Sequence, residues 1–422
     1  KAGQSMLSAG DNVIIGEMAG NSLTTGFDNV FIGYEAGLNQ TTAHDNTFIG
    51  NRAGANNTTG YRNTFLGNQA GDDNTTGYWN TCIGDSSGTD IGVGFSNTFL
   101  GHASGAATEH GDNNTFIGDY AGWDNNRTNG VSGEGNNNTY LGARAGFSNR
   151  EGNGNVAIGY RADFTSTAAY GGSTNNQDNT IIGRGAQIGS EYHGVNGIVG
   201  LGAYSRVDKH YGIAIGYSTH VQSRRSLSIG YDGFIADGYD DVNMIGYSNT
   251  VAGDGATIFG NTSSVTNNFG IAVGFNTIAD SASIAFGANA SATGSFSVAI
   301  GAGAATSQNN ALVLGGATSE TRLSVGIGTA SPNSFASLTL GDTDKGFLFN
   351  RLTNAQETAL EGSLTATEQG LAIYNTEVDA LKIWDGAEWI TGGTQTLSLT
   401  DETLSLTDGG TVDLTSFLDN TD

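Results

Sequence analysis

Short apolar strands recur along this chain at a fixed interval, and each strand is closed by a glycine. The segment 46–50, Asn-Thr-Phe-Ile-Gly, represents the pattern. The closing glycines of its near-copies are spaced by 17 residues, at Gly16, Gly33, Gly50, Gly67, Gly84, Gly101 and Gly118. A strict period of this length is typical of one supersecondary unit stacked on itself. Two short strands and two turns per repeat predict one coil of a β-solenoid, with successive coils about 4.8 Å apart.

Stacking of the coils would align equivalent residues in columns. Asparagine amides can hydrogen-bond along such a column, and its predicted members are Asn12, Asn29, Asn46, Asn63, Asn80, Asn97 and Asn114. Phe48, Phe65 and Phe116 belong to a predicted aromatic column, and Ile49 belongs to an aliphatic one. Because adjacent strand residues point to opposite faces, both faces of the strand are apolar. Such a strand is expected to be buried on both faces, so a partner chain is the simplest cover for the outer face.

The period changes after Gly118. The next closing glycines are predicted at Gly142, Gly159, Gly183 and Gly200, with insertions of seven residues before Gly142 and before Gly183. From Gly200 the spacing is mostly 14 residues, and alanine replaces phenylalanine in the middle of the strand, which predicts a smaller coil. Nineteen closing glycines predict a rod about 90 Å long.

A small module is predicted where the composition shifts after Leu338. Thr353 and Gln356 have the spacing of a capping box, which predicts a short helix that ends near Leu360. Asp385-Gly386 indicates a tight hairpin turn. The predicted strands of this module are Leu371–Asn375, Leu381–Trp384 and Glu388–Ile390.

These changes of pattern give the predicted domain boundaries. The segments are a solenoid of 17-residue coils over 1–200, a β-roll of about 14-residue coils over 201–322, a connector over 323–340, an α+β module over 341–392, and a thin β-structured shaft of Leu-Ser-Leu repeats over 393–422. Since the chain begins at Lys1 without a signal peptide and stops in a polar run at Asp422, we expect a processed or partial piece of a longer protein.

Composition supports an all-β repetitive fold and argues against several partners. The chain has 67 glycines and one proline among 422 residues, which disfavours helices and suits tight turns. Its net charge of −25 would repel nucleic acid and anionic membranes. No apolar run approaches the roughly 20 residues of a membrane helix. The single cysteine, Cys82, takes the place of phenylalanine in its repeat and is predicted to be a buried apolar residue.

No catalytic residue and no metal site are predicted. The turn Gly84–Gly88 matches G-x-S-x-G, but the aligned turn Gly50–Gly54 has no serine, so the match follows from the repeat. A nucleophile would also need a positioned base. The six histidines share no metal-ligand spacing. Turn oxygens at Asp72-Asp73 and Asp240-Asp241 leave calcium as an alternative to the absence of any cofactor.

The two insertions are the candidate binding loops, because binding residues collect on loops carried by a rigid scaffold. The first contains Trp123 and Arg127, and the second contains Phe164 and Tyr170. Exposed aromatic residues together with arginine are common anchors of recognition. The alternative is that both insertions are simple bulges that accommodate the change of coil size.

The threonines that follow the ladder asparagines raise one further possibility. A flat, exposed threonine array would favour ice binding. These threonines share a face with the Ile49 column, so burial is predicted instead; they are Thr47, Thr64, Thr81, Thr98 and Thr115.

Two sets of repeats resemble known bacterial fibre proteins. The stretch 282–301, from Ala-Ser-Ile-Ala-Phe-Gly to Ser-Val-Ala-Ile-Gly, resembles the head repeat of trimeric autotransporter adhesins. The N-T-F-I-G-x-x-A-G repeats resemble those of tail-fibre-domain proteins, as does the connector Val325–Pro332. The resemblance covers roughly residues 10–332 and implies three chains that pack left-handed β-rolls side by side. Nothing here resembles the self-cleaving chaperone domain that often ends such proteins, so we expect it to be absent or already removed.

The sequence therefore predicts a non-enzymatic, homotrimeric extracellular fibre segment of a bacterial adhesin that mediates attachment at the cell surface. The alternative is a receptor-binding tail fibre of a phage or of a contractile injection system, which would use the same repeats. The ligand is not predicted in either case.

Overall fold

The computed structural model describes residues 1–8, 10–126, 134–164, 176–189, 194–318, 322–341 and 346–391, with the backbone of three further strands between 397 and 413. The chain divides into two compact units, Lys1–Leu323 and Ser324–Asp422. The first unit is a β-solenoid, which confirms the predicted fold class.

One parallel sheet of 19 strands follows the whole solenoid, and each strand pairs in parallel with the strand of the next coil. Its strands are Val13–Ile15, Val30–Ile32, Thr47–Ile49, Thr64–Leu66, Thr81–Ile83, Thr98–Leu100, Thr115–Ile117, Thr139–Leu141, Val156–Ile158, Thr180–Ile182, Val199–Leu201, Ile213–Ile215, Leu227–Tyr231, Asn243–Tyr247, Thr257–Asn261, Ile271–Phe275, Ile284–Phe286, Val298–Ile300 and Leu312–Leu314. We call this the main sheet.

Among the described residues, a second named strand per coil is found only from residue 187 onward. Four strands form one short parallel sheet, namely Gln187–Ile188, Arg206–Val207, His220–Val221 and Phe234–Ile235. Five strands form another, namely Thr250–Val251, Ser264–Val265, Ile278–Ala279, Ser291–Ala292 and Ala305–Thr306. The 17-residue coils have one named strand each, so the prediction of two strands per coil is wrong there. Their remaining backbone forms turns that still bond to the next coil, as in Thr41 N–H to Thr58 O at 3.0 Å.

The strand register corrects one predicted closing glycine. The register advances by 24 residues between Thr115 and Thr139, and again between Val156 and Thr180. The next strand aligns Ile181 with Gly200, so Gly200 lies in the middle of a strand. Gly202 closes this coil.

Glycine is required at two positions of the coil for different reasons. The closing Gly50 has φ of +140°, and a Cβ on it would lie 2.1 Å from the backbone oxygen of Gly67 in the next coil. The turn residue Gly71 has φ of +60°, and its Cβ would lie 2.5 Å from Cε2 of Phe65. The first glycine allows neighbouring backbones to approach, whereas the second makes room for the core ring.

Stacked aromatic rings fill the core of the 17-residue coils. Phe48 and Phe65 are fully buried, with ring centroids 4.8 Å apart and ring planes within 6°. Phe116 stacks in the same way on Tyr140, at 4.6 Å. Cys82 is buried in the gap between the two parts of the stack, as predicted. Alanine takes this position in many later coils, where the core is correspondingly thinner.

The predicted asparagine column joins successive coils mainly through the backbone. Asn46 donates its backbone N–H to Oδ1 of Asn29 at 3.0 Å and its side-chain N–H to Gly60 O at 2.9 Å. A second polar column, at Gln40, Asn57 and Asn74, was not predicted. Asn57 donates to Oε1 of Gln40 at 2.7 Å, and Asn74 donates to Oδ1 of Asn57 at 3.0 Å. Gln40, Asn57, Asn74 and the column asparagines from Asn29 onward are buried, whereas Asn12 is partly exposed.

The second unit contains the predicted short helix, Asn354–Glu361, whose capping box joins Thr353 and Gln356. A 3₁₀ turn spans Ala366–Glu368. The strands are Val325–Ile327 with Leu338–Leu340 in one sheet, Arg351–Leu352, Ala372–Asn375, Ala380–Trp384 and Trp389–Thr391 in another, and Leu397–Thr400, Thr403–Leu406 and Thr411–Asp413 in a third. In the part of the chain that the structure describes, no helix could cross a membrane.

The hairpin turn at Asp385 differs slightly from its prediction. The strand register leaves the four residues 385–388 in the connection, so it is longer than a two-residue turn. The carboxylate of Asp385 accepts the backbone N–H groups of Ala387 and Glu388, each at 2.8 Å. These bonds explain why an aspartate begins this turn.

Candidate functional site

The outer face of the main sheet is apolar and uncovered in a single chain. The middle residue of each three-residue strand, such as Phe48 or Phe65, points into the core, whereas the flanking residues point outward. Leu66 retains 43% of its exposed area, and Phe286 retains 52%. The predicted burial of Thr64 and Thr98 is not achieved within one chain, because both are exposed. None of the 19 strands contains a charged residue, although the whole chain has 57 of them, 16 basic and 41 acidic.

The two predicted insertion residues that the structure describes, Trp123 and Phe164, differ in exposure. Trp123 is partly buried, and its ring stacks on Phe147 at 5.0 Å. Phe164 is fully buried against Tyr140, at 5.7 Å between ring centroids, so it belongs to the core and not to an exposed anchor. Arg127 and Tyr170 lie outside the described residues. Trp123 is therefore the one insertion residue that the structure places at the surface within its described part.

A buried carboxylate lies beside Phe164. Asp163 accepts the backbone N–H groups of Ser148 and Phe164, both at 2.9 Å, and the Ser148 hydroxyl at 3.0 Å. Burial raises the pKa of Asp163 to about 6, because the three hydrogen bonds only partly offset the loss of water around the charge. Asp124, which pairs with Arg150 at 2.9 Å, adds a smaller repulsion.

Replacing Asp163 with Asn should raise the stability of the solenoid at neutral pH. The folded-state pKa lies above the unfolded value of 3.8, so the wild-type free energy of unfolding should fall as pH rises from about 4 to 6. The amide keeps an acceptor for both backbone N–H groups and does not titrate. At pH 7 the variant should gain up to about 3 kcal/mol. Urea unfolding of both proteins at pH 4 and pH 7 measures the difference, and equal gains at both pH values would contradict the prediction.

A column of stacked rings covers part of the solenoid surface. Its five members occupy the same position in successive coils, at Phe27, His44, Tyr61, Tyr78 and Phe95. Neighbouring ring centroids are 4.9–5.2 Å apart, and neighbouring planes differ by at most 20°. We call this the ring column. The sequence alone shows an aromatic residue or histidine at this position of five successive repeats, but it does not mark them as a candidate site.

Trp79 extends the ring column with a ring of different orientation. Its plane is turned by 76° from Tyr78 and by 77° from Tyr61, at centroid distances of 5.2 and 6.5 Å. Half of its area is exposed (50%). Arg62 and Asp45 precede it at the same position of the two preceding coils, with 3.5 Å between Arg62 Nε and Asp45 Oδ2. A hydrogen bond from His44, together with Arg62, lowers the pKa of Asp45.

The weaker chemical candidates of the sequence are occupied by structural roles. Ser86, the central serine of the G-x-S-x-G match, lies in a turn with φ of +54°, and its hydroxyl donates to Asp85 Oδ2 at 3.5 Å. Arg225 holds Asp241 through two hydrogen bonds, of 2.6 and 2.8 Å. Arg52 likewise binds both oxygens of Asp72. Within the described ranges, no group of three or more His, Cys, Asp or Glu side chains could hold a metal ion.

The second unit leaves large apolar side chains in water when it is a single chain. Phe335 is 100% exposed, Leu348 is 78% exposed, and Phe347 is also exposed. Exposed apolar patches rimmed by polar residues mark interaction surfaces. Contacts with further chains are therefore expected here.

Comparison with known proteins agrees with this expectation. No curated protein matches the chain. Residues 326–405, which lie within the second unit, match the family model described as a phage tail like trimerisation region. The match supports a trimeric, phage-tail-fibre-like domain in this part of the chain.

Proposed function

We propose that this chain is a structural subunit of a homotrimeric fibre, of the kind used as a tail fibre by a phage or a contractile injection system. The observation that carries the proposal is the match of residues 326–405 to a phage-tail-like trimerisation region. A long β-solenoid in the same chain supports the proposal, because a stack of coils is a rigid, extended element. No enzymatic role is part of it.

The main sheet supplies a second line of support. Its outer face has no charged residue in any of its 19 strands. Burial of its threonines and aliphatic side chains between three copies would remove a long apolar strip from water. Closed cyclic symmetry in a homotrimer would bring three equivalent faces of this sheet together.

An adhesin on a bacterial cell surface is the second candidate. The small coils with alanine in the core, such as Ile284–Phe286 and Val298–Ile300, favour it through their resemblance to adhesin head repeats. Immunogold electron microscopy of producing cells would separate the two candidates. Label at the base of tailed particles would support the tail fibre, whereas label on threads rooted in the cell envelope would support the adhesin.

Display of a binding surface by the insertions stays part of the proposal. Trp123 is its surface residue, and Arg127 and Tyr170 are the predicted partners in the inserted segments. Phe164 is left out because it is buried. An attachment surface on a rigid fibre would suit either candidate function.

The proposed trimer predicts a mass of three times 43.3 kDa in sedimentation equilibrium of the folded chain. A monomer at micromolar concentration would overturn it.

Replacing Leu66 with Glu tests separately whether the main sheets pack together in the trimer. In a single chain Leu66 is 43% exposed, so the change would have a small effect. In a trimer packed through this face, the charge would be buried and should lower the free energy of unfolding by about 3 kcal/mol or more.

Thr59→Glu is the matched control, because Thr59 is exposed in a turn of the preceding coil. Its melting temperature should stay close to that of the wild type. If Leu66→Glu and Thr59→Glu melt alike while the mass remains trimeric, the second unit alone would hold the trimer. The proposed packing of the main sheets would then be wrong.

A further inference from the structure

The ring column fixes the orientation of Trp79. Both faces of the Tyr78 ring are covered, by Tyr61 at 5.1 Å and by Phe95 at 4.9 Å, each within 2° of parallel. Trp79 can therefore contact only the rim of Tyr78. Two rings that met rim to rim would have centroids farther apart than the observed 5.2 Å. The rim of Tyr78 thus points at one face of the indole, and the opposite face is turned to solvent.

The exposed indole face is held in place before any ligand arrives. The rims of Tyr61 and Tyr78 support it from below, at right angles. The backbone N–H of Trp79 donates to the Tyr61 carbonyl at 3.2 Å, which anchors Trp79 to the preceding coil. Trp79 also has φ of +58°, a conformation set by the coil and not by the side chain. A ligand that stacks on this face would lose little free energy in ordering it.

Polar groups stand next to the indole along the fibre. Arg62 precedes Trp79 by one coil, and its guanidinium lies 6.0 Å from the centre of the Tyr61 ring. Asp45 lies one coil further and is paired with both Arg62 and His44. The side chains of Arg62 and Asp45 keep 55% and 38% of their exposed area. The N–H donors of Arg62 and the carboxylate acceptors of Asp45 are therefore available to solvent beside the exposed indole face.

We infer that Trp79, Arg62 and Asp45 form a glycan-binding site on the side of the solenoid. One C–H face of a pyranose ring would stack on the free indole face. Arg62 would donate to hydroxyl or ring oxygens, and Asp45 would accept from hydroxyl groups. This inference rests on the proposed fibre function, because it assigns a ligand to the surface that the fibre displays.

Other ligand classes suit the site less well. A nucleic acid could stack on tryptophan, but Asp45, Asp28 and the net charge of −25 oppose its phosphates. An apolar peptide would need a groove that covers it on several sides, whereas Trp79 is 50% exposed beside the charged pair of Arg62 and Asp45. A neutral sugar combines an apolar face with peripheral hydroxyls, which is the pattern presented here.

The test uses the full chain, labelled with a fluorophore, on an array of bacterial cell-wall, capsular and eukaryotic cell-surface oligosaccharides. Oligosaccharides bound by the wild type are then titrated against the four-tryptophan fluorescence of the protein. Trp79→Ala should weaken binding by about tenfold or more, as expected for a central stacking anchor. Trp79→Phe should restore part of the affinity, because a flat ring is retained.

Phe269→Ala is the matched control. Phe269 occupies the same position of a later coil, as shown by its N–H bond to Asp254 O at 2.8 Å, and it is 64% exposed. The residues that correspond to Tyr61 and Tyr78 are here Asp254 and Asn268, which have no rings. Phe269 therefore lacks the support that Trp79 has, and Phe269→Ala should bind like the wild type. Trimer mass and melting temperature should be unchanged in both alanine variants.

Three results would overturn the inference. The wild type could bind no oligosaccharide on the array, or Trp79→Ala and Phe269→Ala could bind equally. Trp79→Ala could also lower the trimer mass or the melting temperature, which would make the ring column a contact between copies of the chain. Failure of the fibre proposal is distinguished from these results, because it would appear as a monomer in the sedimentation of the wild type.

Discussion

Replacing Phe65 with Asp should lower the free energy of unfolding by about 5 kcal/mol or more, the largest loss expected from a single side chain in the solenoid. Phe65 is fully buried and stacks on Phe48 at 4.8 Å. Removing the ring leaves a cavity against Gly71, whose missing Cβ accommodates it. The new carboxyl group would have no water and must lose its charge or unfold the coil around it.

Two further variants separate the cavity from the charge. Phe65→Leu removes part of the ring without a polar group and should lose about 1 kcal/mol. Thr76→Asp adds the same charge to an exposed turn of the same coil and should leave melting unchanged. Thermal unfolding followed by circular dichroism measures all three. If Phe65→Asp melted like Thr76→Asp, the ring of Phe65 would not lie in a closed core.

Repeated solenoid units should limit how far the damage spreads. Coils contact only their neighbours in such a stack, so stability is close to a sum of coil and interface terms. Hydrogen exchange in Phe65→Asp should therefore rise most in Thr47–Ile49, Thr64–Leu66 and Thr81–Ile83. Distant coils such as Val298–Ile300 should keep their protection.

Periodicity alone predicts most of the solenoid, because each coil repeats the same local sequence pattern of strand, closing glycine and turns. The interval between closing glycines fixes which residues stack, and the register Thr47 to Thr64 to Thr81 follows directly. The same count failed at Gly200, where two glycines two residues apart compete for one position. Gly202 is the closing glycine because its oxygen would lie 2.3 Å from a Cβ on Gly183, the contact that repeats between coils.

The sequence did not predict which side chains outside the main sheet point into the coil and which point outward. The Gln40, Asn57 and Asn74 column has the composition of a solvated turn, yet the chain folds it inward, where each amide bonds to the adjacent coil. Phe164 was assigned to the second insertion and predicted to be exposed, yet it fills the space beside Tyr140. Trp79 was not selected because nothing in a linear pattern shows which rings have a free face.

A second large effect is expected at the closing glycines. Gly50→Ala should lower the free energy of unfolding by about 3 kcal/mol or more per chain. Two separate penalties add at this position. With φ of +140°, the backbone occupies a region that residues with a Cβ avoid. The added methyl group would lie 2.1 Å from Gly67 O, so the two coils would have to separate.

Separation of these coils would also strain the hydrogen bonds that join them. Gly50 N–H donates to Ile32 O at 2.8 Å, and Gly67 N–H donates to Ile49 O at 2.9 Å. Movement of Gly50 away from Gly67 therefore lengthens the second bond while the first holds the residue in place. Gly10→Ala is the control, because a Cβ on Gly10 meets nothing within 4 Å. Equal urea midpoints for the two variants would mean that the coils do not stack through their closing glycines, and the common register of all 19 strands would have to be revised.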